Sequence, residues 1–134
     1  MLKSLLYVGL GSALGGVFRF LCYFLITLKF GKNFPTGTFI INGIGSFLIG
    51  FLFAFFHKRN FSADLQIFLL TGVLGGFTTF SAFSLETLQL IEQKECYKAI
   101  IYVLGSVFLG VVACFGGYLL AHWGINNTIF TIRK

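Results

Sequence analysis

The sequence predicts an all-α membrane protein with four transmembrane helices, the third broken in its middle. Of its 134 residues, 57% are hydrophobic and only 10% are charged. That leaves too few polar groups to cover a water-soluble domain of this size. Four apolar stretches each reach the roughly 20 residues of a membrane crossing, and most of the charges fall between or beyond them. The third stretch starts near Ala63, continues past Leu90 and carries Gly75-Gly76 and Thr78-Thr79 at its centre. Glycine loosens the backbone and threonine is stiff at χ1, so an unbroken helix is disfavoured there.

The first helix is expected over about residues 4–28. Gly11 and Gly15 form a G-x-x-x-G face that lets another backbone approach closely, and Arg19 lies one turn further on the same face. This stretch has no small-residue cleavage site followed by a soluble chain, so it is not read as a removable signal. Gly31 and Pro35 mark the link that follows. The second helix is expected over about 37–56, with Asn42, Gly43, Gly45, Ser46 and Gly50, and it ends at His57-Lys58-Arg59-Asn60.

The third helix is expected over 63–92, with Ser62 as N-cap and Asp64 in the first turn, where a carboxylate suits the helix dipole. It should stop near Gly75, unwind through Thr78 and resume at about Thr79, placing the break near 75–78. The fourth is expected over 98–122, with Tyr102, Ser106, Gly110 and Cys114 spaced four apart. Beyond it, Trp123 and the terminal Arg133-Lys134, together with Tyr97 at the helix start, suit a membrane interface. Residues 1–134 read as one domain without repeats.

Basic residues at the helix ends divide almost evenly. Lys3, Lys58, Arg59, Arg133 and Lys134 fall on one side, and Lys29, Lys32, Lys94 and Lys98 on the other. Because basic residues set orientation, so small a bias lets the chain insert both ways. Opposite copies can then pair as an antiparallel, dual-topology homodimer, with the glycine faces of helices one and two available for close packing. The net charge of +6 suits anionic lipid at the membrane edges. The scattered basic residues argue against nucleic acid.

Enzyme chemistry has few residues to use. Cys22, Cys96 and Cys114 show no metal spacing, His57 and His122 stand at helix ends, and there is no P-loop, so the chain is not expected to be an enzyme. What remains is a set of polar and aromatic groups within the spans. Arg19 either faces a polar interior or snorkels to the interface. Asn42 can donate to an anion or bond another helix. Phe77, Phe80 and Phe83, three apart, form a stripe whose ring edges are partly positive. Thr79, Ser81 and Ser84 flank it with hydroxyls that can donate to an anion or bond back to the helix. Glu86 is either a solvated end residue or a hydrogen-bonded group in a vestibule. Tyr102 and Ser106 share one face of helix four. A break also frees backbone carbonyls, which together make a hard site for a small cation.

The run Gly75-Gly76-Phe77-Thr78-Thr79-Phe80-Ser81-Ala82-Phe83-Ser84 resembles the signature of the CrcB/Fluc family of fluoride channels. Gly37-Thr38, Asn42, Gly45-Ser46 and Gly50 are similar to the family's second helix. The resemblance implies a passive, fluoride-selective channel of the inner (plasma) membrane that exports cytoplasmic fluoride and gives fluoride resistance. Asn42, Phe80 and Phe83 would be pore residues, Arg19 would face the interior, and an acid is common at Glu86. Tyr102 and Ser106 would belong to a hydroxyl track, from which Gly110 departs. The carbonyls of Gly75 and Thr78, from both subunits, would hold a central sodium ion. Two other functions compete. A small multidrug-type exporter needs a carboxylate in helix one, where this chain carries Arg19. A non-transporting structural subunit would gain nothing from a costly broken helix.

Overall fold

Turn chemistry places the links between the helices. Helix α1 (Leu2–Phe30) ends at Gly31, whose φ of 76° lies in the left-handed region that glycine adopts without strain. Helix α2 (Thr36–Arg59) starts directly after Pro35. The third crossing opens at Ser62, whose hydroxyl accepts from the Leu65 amide as an N-cap. Helix α3 then runs through three contiguous stretches: α-helical Ala63–Gln66, π-helical Ile67–Leu74 and α-helical Gly75–Phe77. Helix α4 (Phe80–Glu92) completes the crossing, and α5 (Cys96–Ile132) makes the last. The computed structural model describes residues 1–59 and 61–132, with side chains described as far as Gly124. Leu2–Phe30, Thr36–Arg59, Ala63–Glu92 and Cys96–Gly124 are each long and apolar enough to cross a membrane. The protein is a multi-pass membrane protein.

Glycines set the packing. An added Cβ on Gly11 would lie 2.6 Å from the Phe68 carbonyl oxygen, and one on Gly15 would strike the Val73 carbonyl. From the other side, a Cβ on Gly76 would sit 2.5 Å from the Ser12 carbonyl. The backbones of α1 and α3 therefore touch along a parallel pair, as small-residue faces allow. Helices α2 and α5 form a second parallel pair, with Gly43 under Leu109, Gly50 against the Cys114 carbonyl and Gly117 against the Phe47 carbonyl.

Three expectations are corrected here. The glycine faces of the first two helices, expected to serve a dimer, are largely spent inside the subunit. The break is shorter and later than expected: Gly75 is helical, with φ −63° and ψ −37°, and only Thr78 (φ −82°, ψ 158°) and Thr79 (φ −151°, ψ 121°) are extended. Gly76 is needed for contact with α1, whereas the two β-branched threonines favour extended backbone. The π-helical stretch was not anticipated. Helix α5 passes the expected end at residue 122, because no proline follows to stop it. Asn60 and the pair Arg133-Lys134 lie outside the described residues.

Gly15 and Gly16 give an internal comparison, since a Cβ on Gly16 would meet nothing within 4 Å. Gly15→Ala is expected to lower stability by about 1–3 kcal/mol through overpacking, and Gly16→Ala to leave it unchanged or raise it. Melting temperatures in detergent check this, and equal values for the two variants would contradict the close α1–α3 contact.

Candidate functional site

The break at Thr78-Thr79 leaves the last carbonyls of α3 and the first amides of α4 without helical partners. Side chains from three elements answer this need. Thr78 turns its own hydroxyl onto the Leu74 carbonyl at 3.0 Å, beside its backbone amide. Arg19 on α1 donates Nε to the Gly76 carbonyl at 3.2 Å. Asn42 on α2 binds Thr79 at both backbone groups, accepting from its amide at 2.8 Å and donating to its carbonyl at 3.0 Å. That reciprocal pairing fixes which way the amide faces. Thr79 then caps α4, its hydroxyl accepting from the Ala82 amide at 3.1 Å and lying 3.2 Å from the Ser81 hydroxyl.

In an uninterrupted helix the Thr79 amide would donate to the Gly75 carbonyl. Here it donates to Asn42, so the Gly75 oxygen loses that helical donor. Gly75 is exposed at the surface of the subunit. The Thr78 carbonyl immediately precedes the capping residue of α4. Both are uncharged oxygen donors of the type that suits a hard cation.

One turn and a half along α4, Glu86 accepts from the Thr38 hydroxyl at 2.8 Å and from the Tyr102 hydroxyl at 2.7 Å. Tyr102 and Thr38 are almost fully buried. Glu86 is thus hydrogen-bonded at both oxygens and not a freely solvated end residue. Arg19 and Glu86 line one cleft of about 340 Å³, with Thr38 and Thr79 also in its wall. No ion pair joins the two among the described residues.

That cleft is the middle of three. A cleft of about 360 Å³ by the Gly31–Pro35 link shares Tyr23, Glu86 and Gln89 with it. A cleft of about 300 Å³, lined by Asn42, Ser46, Thr78, Thr79 and Phe80, shares Thr79 with it. The series leads from one helix end to the break. A larger groove of about 690 Å³ lies between α2 and α5, but its lining is almost wholly apolar and includes none of these polar groups.

Phe80 is 79% exposed, and its ring lies 5.5 Å from that of Phe83, which packs 5.1 Å from Tyr102. Phe77 leaves the expected stripe. It is buried, with its ring 5.6 Å from Phe18, because the extended threonines reset the helical phase between 77 and 80. Ser84 bonds back to the Phe80 carbonyl at 2.9 Å. The oxygen of Ser106 is buried and has no hydrogen-bond partner among the described residues.

The family model described as CrcB-like protein, Camphor Resistance (CrcB), matches residues 6–118. The chain belongs to the CrcB family. It is 45% identical to the fluoride-specific ion channel FluC of Rhizobium meliloti over 120 residues, which cover 89% of this chain and 96% of that protein. Against the proteins of the same name from Thermus thermophilus and Helicobacter pylori strain J99, the identity is 43%. Those matches cover 89% and 87% of this chain, and 95% and 91% of the relatives.

In this CrcB chain the sequence reading missed Thr38 as a partner of Glu86. The available signal was position: Thr38 lies four residues before Asn42, on the same helical face. Tyr23 was missed too, and nothing in its apolar surroundings marks it.

Removing the Asn42 side chain strands the Thr79 amide. Asn42→Ala is expected to cost about 1 kcal/mol or somewhat more, the penalty of an unsatisfied polar group in a partly buried place. Thermal unfolding in detergent measures it, and an unchanged midpoint would mean that water replaces the pairing at no cost.

Proposed function

We propose that this protein is a passive, fluoride-selective ion channel of the inner (plasma) membrane that exports cytoplasmic fluoride and so gives fluoride resistance. The observation that carries the reading is the broken third span. Neutral donors and aromatic edges stand there together, with Arg19 bonded to the Gly76 carbonyl beside them. A channel must bind its ion strongly enough to admit it and weakly enough to release it. Hydroxyls, an amide and ring edges meet that requirement better than a lysine cluster would. The relatives named fluoride-specific ion channel, matched over nearly their whole length, supply the identity of the ion.

In this reading the anion leaves water at the cleft near the Gly31–Pro35 link and passes Glu86, whose two oxygens are already occupied by Thr38 and Tyr102. Arg19, which lines the adjoining cleft together with Glu86, offsets the repulsion of that carboxylate. The second N–H of the Asn42 amide, left over after its bond to Thr79, donates to the ion. Thr79 and Ser81 add hydroxyls, Ser84 adds its own once it turns from the Phe80 carbonyl, Phe80 and Phe83 turn ring edges toward it, and Tyr102 and Ser106 flank the path from α5.

The working unit is an antiparallel, dual-topology homodimer. The balanced basic residues support this, as do the polar groups around Phe80 and Ser81 that one subunit leaves exposed in mid-membrane, where lipid cannot satisfy them. A sodium ion at the dimer centre would be held by the carbonyls of Gly75 and Thr78 from both subunits. When bound, it supplies positive potential to nearby anions.

Purified protein in liposomes, read with a fluoride electrode and with chloride in parallel, tests the proposal. Fluoride efflux well above protein-free vesicles is expected, with little chloride efflux. Phe80→Ile and Phe83→Ile should each reduce the fluoride rate about tenfold or more while the protein stays folded, because isoleucine keeps apolar volume but lacks the polarised edge. Absence of fluoride efflux from the parent protein would refute the reading.

A further inference from the structure

We infer that Ser46 of α2 supplies the hydroxyl that α5 lacks at Gly110, so that the anion path crosses from donors on one helix to donors on the other. The inference rests on the fluoride-channel reading above and adds a binding residue to it.

Tyr102, Ser106 and Gly110 follow one another at single-turn spacing on α5. The Tyr102 hydroxyl is occupied by Glu86. The Ser106 oxygen is buried and unpartnered among the described residues, a state that costs free energy unless something binds it. At the next turn α5 offers no side chain at all. Gly110 borders the apolar α2–α5 groove, yet the one heavy atom from another element within 4 Å of an added Cβ is the Ser46 hydroxyl oxygen, at 3.5 Å.

This meeting follows from the parallel packing of the two helices. Gly105 faces Phe39, Gly43 faces Leu109 and Gly50 faces Cys114, so both helices advance in the same direction, and position 110 meets position 46 between the last two of these contacts. Ser46 is also one turn beyond Asn42 on the same face of α2, and both line the cleft of about 300 Å³ with Thr78, Thr79 and Phe80. Its hydroxyl therefore stands where the α5 row and the Asn42 cleft come together. A small, strongly hydrated anion needs a new donor for each water it sheds, and a serine O–H supplies one without a charge that would trap it.

Fluoride efflux from liposomes tests the inference with Ser46→Ala, Ser46→Cys and the double variant Ser46→Ala/Gly110→Ser. Ser46→Ala should slow efflux about tenfold, the loss of one hydrogen bond to a charged species. Ser46→Cys keeps the volume, has only a weak donor and should slow efflux likewise. The double variant returns a hydroxyl from the α5 side, where a Cβ at 3.5 Å is ordinary contact, and should recover most of the parental rate. Parental efflux in a folded Ser46→Ala or Ser46→Cys protein would overturn the inference. A double variant as slow as Ser46→Ala would also overturn it, since Ser46 would then act by packing. Parent vesicles without fluoride efflux would refute the channel reading itself, whereas an active parent with indifferent Ser46 variants would refute only this assignment.

Discussion

A helix that breaks inside a membrane exposes backbone groups that lipid cannot satisfy, and the pairing of Asn42 with Thr79 is this protein's principal answer. A side-chain amide is chemically a peptide group without a chain attached. Asn42 can therefore stand in for the missing turn, taking the Thr79 amide and reaching the Thr79 carbonyl with one planar group. Arg19 and Thr78 deal with the carbonyls on the α3 side of the break. Three helices thereby meet at two extended residues, and the polar groups drawn together to satisfy the backbone also line the clefts.

The glycines make that meeting possible. Gly45 lies three residues beyond Asn42, and a Cβ there would strike the Thr78 side chain. A larger residue would push α2 away from the break and pull Asn42 out of reach of Thr79. Gly15 plays the same part for α1, because a Cβ would run into Val73 and crowd the Phe77 amide at 2.8 Å, one turn from the Arg19 contact. Close packing and the site are therefore one construction, in which small residues bring polar ones within hydrogen-bond distance.

The four spans, the break and its neighbourhood were legible in the sequence because they rest on local chemistry. Apolar length, Gly31 and Pro35, the Ser62 cap and the Thr78-Thr79 pair all act within a few residues of themselves. Pairings across helices were less legible. Asn42 was open between two roles until its partner was known, and Thr38 was marked only by the helical face it shares with Asn42, which does not point to Glu86, 48 positions away. Helical phase also misled. A stripe through Phe77, Phe80 and Phe83 assumes one continuous helix, and two extended residues between 77 and 80 send Phe77 into the core while Phe80 faces outward.

The most direct measurement of the central claim is hydrogen exchange at the Thr79 amide in lipid nanodiscs, for the parent protein and for Asn42→Ala. If the Asn42 side chain replaces the missing helical bond, the parent amide exchanges slowly. The variant then exchanges faster by about five- to thirtyfold, the range that one or two kcal/mol supports, with amides in the α2–α5 contact unchanged. Equal exchange at Thr79 in the two proteins would contradict the account.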